Sequence, residues 1–232
     1  MHISADDQAR ITAAIRLAEA RTSGEILCTL STERHRYVEW VLALAAFVAF
    51  TLPAILTIAG FGPTRWVELL GPTSWAGLPG LWQSGPLTDA QTIELYVAAQ
   101  ALTLILTTLA LWWSPVAQRF APLSIRQERV HEIALKQFLA RGVHRTSHRT
   151  GVLIHVSAED HVVEVIADQS IFSRVPPDIW GDTAQALLAG MAANQPAQGF
   201  IDAIARAGDI LAAHFPPAPQ NDDELPNQLL IL

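Results

Sequence analysis

The residues able to perform nucleophilic or metal chemistry are few, and they form no familiar motif. His144 and His148 lie four residues apart in a polar loop, so a shared helix face is not expected, and His155 and His161 flank a predicted hairpin turn. Zinc sites use three or four closely spaced ligands, and the one cysteine, Cys28, cannot complete such a set. The nucleophile-elbow, phosphate-loop and dinucleotide fingerprints are also missing from the sequence. Zinc chemistry and these enzyme classes are therefore not predicted.

Two His-Arg pairs, His144-Arg145 and His148-Arg149, leave two interpretations open. They could contact anionic lipid or phosphate groups, or they could belong to a solvated loop close to a membrane, which is the favoured interpretation. Cys28 lies in a predicted strand, where a cysteine more often packs than reacts. One cysteine allows no intramolecular disulfide, which fits a reducing compartment.

The composition combines two regimes in one chain of 232 residues, of which 50% are hydrophobic and only 16% charged. The charge deficit is concentrated between Tyr37 and Trp113, where the sequence holds five charged residues. The rest of the chain has the composition of a soluble domain. The net charge of −7 and the lack of a basic patch argue against nucleic acid as a partner.

Two long apolar segments, residues 38–61 and 93–113, predict membrane-spanning helices. About 20 apolar residues cross a hydrocarbon core of roughly 30 Å. Pro53 lies within the first segment and could kink it without preventing insertion. Tryptophan and tyrosine residues near the segment ends fit the membrane–water interface. The lipid bilayer is therefore the predicted environment of this part of the chain.

The orientation of the two spans follows from the basic residues that flank them. Arg34 and Arg36 precede the first span, Arg119, Arg126 and Arg129 follow the second, and the connecting loop 62–92 holds one arginine. The positive-inside rule then predicts both termini in the cytoplasm and loop 62–92 on the opposite side of the membrane. The expected location is a bacterial inner membrane, with this loop in the periplasm. This loop is expected to be a turn-rich linker on the outer leaflet, with a binding loop as the alternative.

Outside the spans, the pattern predicts an α/β (α+β) domain: a small mixed sheet with helices packed on it, interrupted by the two-helix hairpin. Strands are predicted at 25–31, 151–157 and 161–168, and helices at 5–22, 125–140, 178–194 and 199–215. The first two strands are separated by a helix and should lie parallel. The expected organisation is the first part of the domain at 1–36, the hairpin at 37–113, the second part at 114–215 and an acidic, proline-containing tail at 216–232.

Four stretches together resemble a known family. They are Thr22-Ser23-Gly24-Glu25-Ile26, Gly151-Val152-Leu153-Ile154, the strand from His161 to Ile166, and Gly199-Phe200 before the last helix. In order and spacing they resemble the TPM domain, which includes thylakoid-lumen and photosystem II repair proteins and some acid phosphatases. The resemblance covers about 150 residues, everything except the hairpin and the tail. Many family members carry their membrane anchor outside the domain, whereas here the hairpin lies inside it.

The resemblance implies a set of candidate site residues. Asp178 falls where the family has an aspartate before a helix, although the family's glycine-rich turn is missing and Asp168 stands nearby as a substitute. Asp168 and Asp178 are thus the candidate catalytic residues, and Glu25 and Asp182 would join them as ligands of a divalent cation, Ca²⁺ or Mg²⁺. The alternative interpretation is structural, with Asp178 in the first turn of a helix, Asp168 forming a turn, and Glu25 and Asp182 solvated.

Two functions follow from this combination of features. The first is an integral membrane protein whose cytoplasmic TPM-like domain binds a partner and supports assembly or quality control of membrane proteins. The alternative is a metal-assisted hydrolase of phosphate esters that uses Asp168 and Asp178. The sequence identifies neither a substrate nor a particular membrane-protein partner.

Overall fold

The computed structural model of the chain describes residues 3–33, 37–70, 87–114, 121–217 and 223–232, without the side chains of residues 67–70 and 177. The chain divides into two compact units. The first consists of Met1–His35 and Pro122–Leu232, and the second is Arg36–Ala121.

The first unit holds five of the described α-helices and all four described strands. In chain order the elements are α1 (Ala5–Glu19), β1 (Glu25–Ser31), α5 (Leu123–Ala140), β2 (Gly151–Ser157), β3 (Val162–Ala167), α6 (Gln169–Phe172), α7 (Trp180–Ala192), α8 (Pro196–His214) and β4 (Leu229–Ile231). Short 3-10 turns lie at Val143–Arg145 and Pro177–Ile179.

The strands form one mixed sheet in the order β3-β2-β1-β4. β1 pairs in parallel with β2, with Glu25 opposite Gly151, and β3 returns antiparallel to β2. β4 adds in parallel to the other edge of β1, with Cys28 opposite Leu229. The predicted parallel crossover and the predicted hairpin are both present.

Helices cover both faces of this sheet, which explains why every residue of β1 and β2 is buried. On one face, Ile26 and Ile154 pack with Ile15 of α1, Leu187 of α7 and Phe200 of α8. On the opposite face, a second cluster joins β1 and β2 to α5; its members are Leu27, Ala134, Phe138, Val143, Leu153 and Leu225. The α/β fold class expected from the sequence is confirmed.

Local sequence explains where α1 begins and where α5 ends. Ser4 caps α1 in a capping box with Asp7, whose backbone N–H donates to Ser4 Oγ at 3.1 Å while the Asp7 carboxylate accepts from Ser4. Gly142 follows α5 with φ of 73°, a left-handed conformation that glycine adopts without strain. The capping box and the end of α5 at this glycine are both predicted from the sequence.

The second unit contains α2 (Val38–Ile58), α3 (Pro63–Leu70) and α4 (Asp89–Trp113). α2 and α4 are, by length and composition, long and apolar enough to cross a membrane. Pro53 lies inside α2 without ending it. The greater part of loop 62–92, residues 71–86, lies outside the described residues.

One element was not predicted from the sequence. The end of the tail forms β4 instead of remaining apart from the sheet, and Leu229 is only 3% exposed. Three residues are too few to show the alternation that predicts a strand. The fourth strand is therefore visible only through its pairing with β1.

Candidate functional site

The three predicted aspartates occupy the segment that follows β3. Asp168 is the N-cap of α6, and one of its carboxylate oxygens accepts a hydrogen bond from the Gln169 backbone N–H. Asp178 lies in a 3-10 turn and Asp182 in the first turn of α7, both with exposed side chains. The structural alternative for these residues, helix termini and turns, agrees with these positions.

Asp168 and Glu25 lie at the same end of the sheet. The Asp168 backbone N–H donates to the Gly151 carbonyl at 3.0 Å, and Gly151 is the residue opposite Glu25 in the parallel pair. Since β2 stands between them, their backbones are two strand spacings apart, roughly 10 Å. The fold thus brings Glu25 and Asp168 to one end of the sheet without direct contact.

Asp168 carries an unusual feature for a helix cap. Its side chain is only 7% exposed, and its second carboxylate oxygen, Oδ2, is buried without a hydrogen-bond partner among the described residues. Buried carboxylate oxygens are nearly always hydrogen-bonded, because desolvation without a partner is costly. This oxygen is the observation most favourable to a further role for Asp168.

The carboxylates that the structure does bring together are Glu19, Glu25 and Asp223, which each offer an oxygen within 4.8 Å of the others. Glu19 ends α1, Glu25 begins β1, and Asp223 precedes β4. We call these three residues the acidic cluster. Among the described residues, Asp168, Asp178 and Asp182 are not part of it. Of the four predicted cation ligands, Glu25 alone lies in this cluster.

The electrostatics of the acidic cluster are set first by burial. Glu19 is 7% exposed and Glu25 4% exposed, while Asp223 is exposed. Burial, and then the charges of Glu25 and Asp223, raise the pKa of Glu19 to about 8, although the Ile26 N–H donating to Glu19 Oε1 at 2.8 Å opposes the rise. Burial is also the main cause of the raised pKa of Glu25.

By donor type, the acidic cluster could hold a hard cation. Ca²⁺ and Mg²⁺ prefer carboxylate oxygens, and three are available here. One oxygen of Glu25 is already engaged, since the Leu225 backbone N–H donates to Glu25 Oε2 at 3.3 Å. A groove of about 440 Å³ passes Asp223; its lining includes Thr12, Arg16, Glu224 and Asn227.

Two of the four histidines considered from the sequence lie near the sheet. His155 is fully buried in β2, where its Nδ1 lies 2.8 Å from Thr29 Oγ1 across the parallel pair. His161 is the last residue of the hairpin turn, with φ of 52°. His131, which the sequence did not single out, lies 2.7 Å from Glu164 through Nδ1. Among the described residues, no set of three ligands that includes a histidine meets the spacing of a metal site.

Glu19 and Asp223 were not recognised as site residues from the sequence. They are about 200 positions apart, and their meeting depends on β4 pairing with β1. The run of acidic residues near Asp223 was visible only as a contribution to net charge. No local signal in the sequence predicts this cluster.

Comparison with known proteins agrees with the fold. The NMR structure of the BA42 protein from the psychrophilic bacterium Bizionia argentinensis is similar, with a TM-score of 0.56 and 20% identity, covering 100% of this chain and 96% of that chain. At this identity the likeness concerns the fold alone. No curated protein matches the sequence significantly.

A family model identifies part of the chain. The TPM phosphatase model, described as the TPM domain, matches residues 121–210, which include α5, β2, β3 and α7 and most of α8. The sequence resemblance is confirmed over this range, and β1 and α1 complete the same sheet and core from the other side of the hairpin. Residues 121–210 are therefore similar to the TPM domain.

Proposed function

We propose that this chain is an integral membrane protein whose TPM-bearing unit binds a partner during assembly or quality control of membrane proteins. The observation that carries the membrane assignment is the exposure of large apolar side chains along α2 and α4. Phe47, Phe50 and Ile58 in α2 are 65%, 66% and 87% exposed, and Leu102 in α4 is 57% exposed. A bilayer would cover this surface, whereas water would penalise it.

The main alternative for such helices is the core of a soluble protein, and burial argues against it. In a soluble core both helices would be mostly buried, yet 22% of the most apolar window of α2 and none of that of α4 is buried. Neither helix lies at the N-terminus, where a signal sequence would lie. The exposure pattern therefore favours two membrane spans.

The orientation proposed for these spans rests on the sequence. Arg126 and Arg129 lie in α5, after the second proposed span. Three further arginines used for the orientation lie outside the described residues: Arg34, Arg36 and Arg119. We place both termini in the cytoplasm of a bacterium and loop 62–92 in the periplasm. Reporter fusions in this loop and after Leu232 should then report opposite sides of the inner membrane. Reporters that are active on the same side would contradict this topology.

Partner binding is favoured over catalysis because of where the candidate catalytic carboxylates lie. Asp178 and Asp182 are exposed, and Asp168 caps a helix, so the described residues do not form a converged catalytic set. General acid–base or metal-assisted chemistry needs such groups held together around one reacting atom. A binding surface has no such requirement.

A genetic experiment separates binding from catalysis. In a strain that lacks this protein, we expect a changed half-life of newly made multispanning membrane proteins, measured by pulse labelling. The wild-type gene and the Asp178→Ala variant should restore it equally if binding is the function. An unchanged half-life across such proteins would contradict the proposal, and restoration by wild type alone would favour the enzyme.

Phosphate-ester hydrolysis remains the second candidate because of the unpartnered Oδ2 of buried Asp168. The assay uses purified full-length protein in nanodiscs, p-nitrophenyl phosphate, and Ca²⁺ or Mg²⁺ between pH 5 and pH 8. If this candidate is right, Asp168→Asn and Asp178→Ala should each lower turnover at least a hundredfold, and Asp209→Asn, an exposed substitution on α8, should leave it unchanged. No cation-dependent turnover would rule this candidate out.

A further inference from the structure

The last described segment, residues 223–232, lies along β1 in the manner of a bound peptide, and we call it the strap. Its strand, β4, pairs with Cys28, Thr29 and Leu30 of β1. The Leu232 backbone N–H then donates to the Leu30 carbonyl at 2.8 Å. Addition of an extended segment to a sheet edge is a recurrent mode of peptide recognition, in which main-chain hydrogen bonds supply affinity.

Two leucines of the strap supply the apolar contacts. Leu225 is 7% exposed and packs with Leu27 and Phe138 in the cluster under α5. Leu229, four positions later, is 3% exposed and joins the main core. The strap residues Glu224 and Gln228, which precede these two leucines, are exposed. The edge of β1 therefore has two apolar pockets at a fixed spacing.

A third contact of the strap brings its carboxyl group at Asp223 close to two buried carboxyl groups. Asp223, two positions before Leu225, places a carboxylate within 4.8 Å of carboxylate oxygens of Glu19 and Glu25. The charge of Asp223 adds to burial in raising the pKa of both glutamates, so the neutral form of Glu19 is favoured beside the strap. Arg16 lines the same groove, while Arg21 pairs with Asp209 at 2.9 Å. A cationic side chain at the position of Asp223 would instead favour the ionised forms of both buried glutamates and pair with them.

We propose that the edge of β1 is a peptide-binding groove that accepts an extended segment of a partner protein in place of the strap. The segment carries lysine or arginine two positions before a buried leucine, and a second leucine four positions after the first. This inference rests on the proposed function, because it supplies the binding surface that a partner-binding role requires.

The strap then acts as an internal competitor. Its pairing with β1 involves three residues of a parallel ladder, which is a short and comparatively weak connection. A competitor that occupies the site lowers the apparent affinity for the partner by the fraction of molecules in which the site is free. Weakening the strap should therefore tighten partner binding without any change in the groove.

The test is a fluorescence anisotropy titration with full-length protein in nanodiscs and labelled ten-residue peptides, with empty nanodiscs as background. One peptide has the sequence of residues 223–232. The other has the same sequence with lysine in place of Asp223. We expect the lysine peptide to bind at least tenfold more tightly. The Leu225→Ala protein should bind the lysine peptide about tenfold more tightly than the wild-type protein does, because its strap has lost a buried leucine. Leu17→Ala, which alters a 70% exposed leucine on α1, is the matched control.

Several outcomes would overturn the proposal. Equal affinity of the two peptides would show that the buried glutamates do not select a cationic residue. Equal affinity of the wild-type and Leu225→Ala proteins for the lysine peptide would show that the peptide does not bind in place of the strap. If Leu225→Ala becomes dimeric and binds neither peptide, the groove takes the strap of a second copy. Should Leu225→Ala fail to fold, the comparison of peptides on wild-type protein still decides the charge argument. Altered membrane-protein half-lives without peptide binding would contradict this inference and leave the proposed function standing.

Discussion

Glu19 and Glu25 are carboxylates in positions from which water is largely excluded, and the pKa of each is raised chiefly by burial. Glu19 retains one backbone hydrogen bond, from Ile26, and faces the charges of Glu25 and Asp223. Its neutral form is therefore favoured in the folded protein. This makes Glu19 a source of pH-dependent stability as well as part of the acidic cluster.

The stability of the first unit should decrease as the pH rises. The pKa of Glu19 is about 8 in the folded protein and 4.5 as the ordinary value, so the folded state holds a proton that the unfolded state releases between these values. The stabilisation is complete below pH 4.5 and lost by about pH 8, a change of up to roughly 5 kcal/mol at 1.36 kcal/mol for each pKa unit. Glu19→Gln should flatten this dependence in urea titrations followed by circular dichroism. Equal pH slopes for variant and wild type would show that Glu19 does not titrate in this way.

Asp168 gives a second prediction at this scale, because its cap and its charge can be separated. Asp168→Asn keeps a side-chain oxygen for the Gln169 N–H, whereas Asp168→Ala removes it. We expect the alanine variant to lose about 1 kcal/mol of unfolding free energy and the asparagine variant to stay close to wild type. Denaturant midpoints would measure this. A loss as large in Asp168→Asn would mean that the charge, not the cap, is the stabilising feature.

The residue scale also marks the limit of what the sequence predicts about the site. Asp178 and Asp182 were identified through a family resemblance, and the fold leaves both exposed. The acidic cluster could not be predicted, because Glu19 and Asp223 meet only after β4 has paired with β1. Side chains this far apart in sequence are brought together by tertiary pairing, which local patterns do not encode.

Elements were more predictable than sites, for physical reasons visible in particular cases. β1 and β2 are short apolar runs flanked by turn residues, and their predicted bounds agree with the structure. The start of α1 follows from the hydrogen bonds of Ser4 and Asp7, which depend on neighbouring residues alone. β4 was missed because its stability comes from β1 and from buried Leu229, not from its own three residues.

The packing of α7 on α8 depends on two glycines. A Cβ atom on Gly190 would lie 2.4 Å from the Gly199 Cα and 2.6 Å from its nitrogen, so backbone would have to move. Gly190→Ala should therefore lower the unfolding free energy by about 2 kcal/mol, despite the better helix propensity of alanine.

Gly181→Ala in the same helix is the matched control for this contact. No atom lies within 4 Å of the added methyl group, so the substitution should be neutral or stabilising by up to about 1 kcal/mol. Thermal unfolding of the two variants measures the difference. If Gly190→Ala proved as stable as Gly181→Ala, the close approach of α7 and α8 would not be needed for stability.

At the scale of the whole molecule, the two units have different relations to solvent. The first buries both faces of its sheet, whereas the second exposes apolar side chains along α2 and α4. This division follows from the contrast in charge density along the sequence, so the existence of two units could be predicted from composition.

A charge in the middle of α4 tests the membrane assignment. Leu102→Arg should disfavour insertion by about 2.5–3.5 kcal/mol and reduce the membrane-integrated fraction, measured by carbonate extraction. Leu17→Arg introduces the same charge at a 70% exposed site on α1 and should leave that fraction unchanged. A span at α4 would be contradicted if both variants integrated equally and α4 of Leu102→Arg were protected from protease to the same extent as in the wild-type protein.

The parallel pairing of β1 with β2 also dictates an order of events during synthesis. Glu25 lies opposite Gly151, so β1 leaves the ribosome about 125 residues before its neighbour in the sheet, and both apolar helices are made in the interval. At roughly 5–20 residues per second, β1 waits on the order of 6–25 seconds. During that wait α2 and α4 can enter a bilayer while the sheet is still incomplete. With α2 and α4 as the proposed spans, membrane integration becomes an early event in biogenesis and completion of the four-stranded sheet a late one.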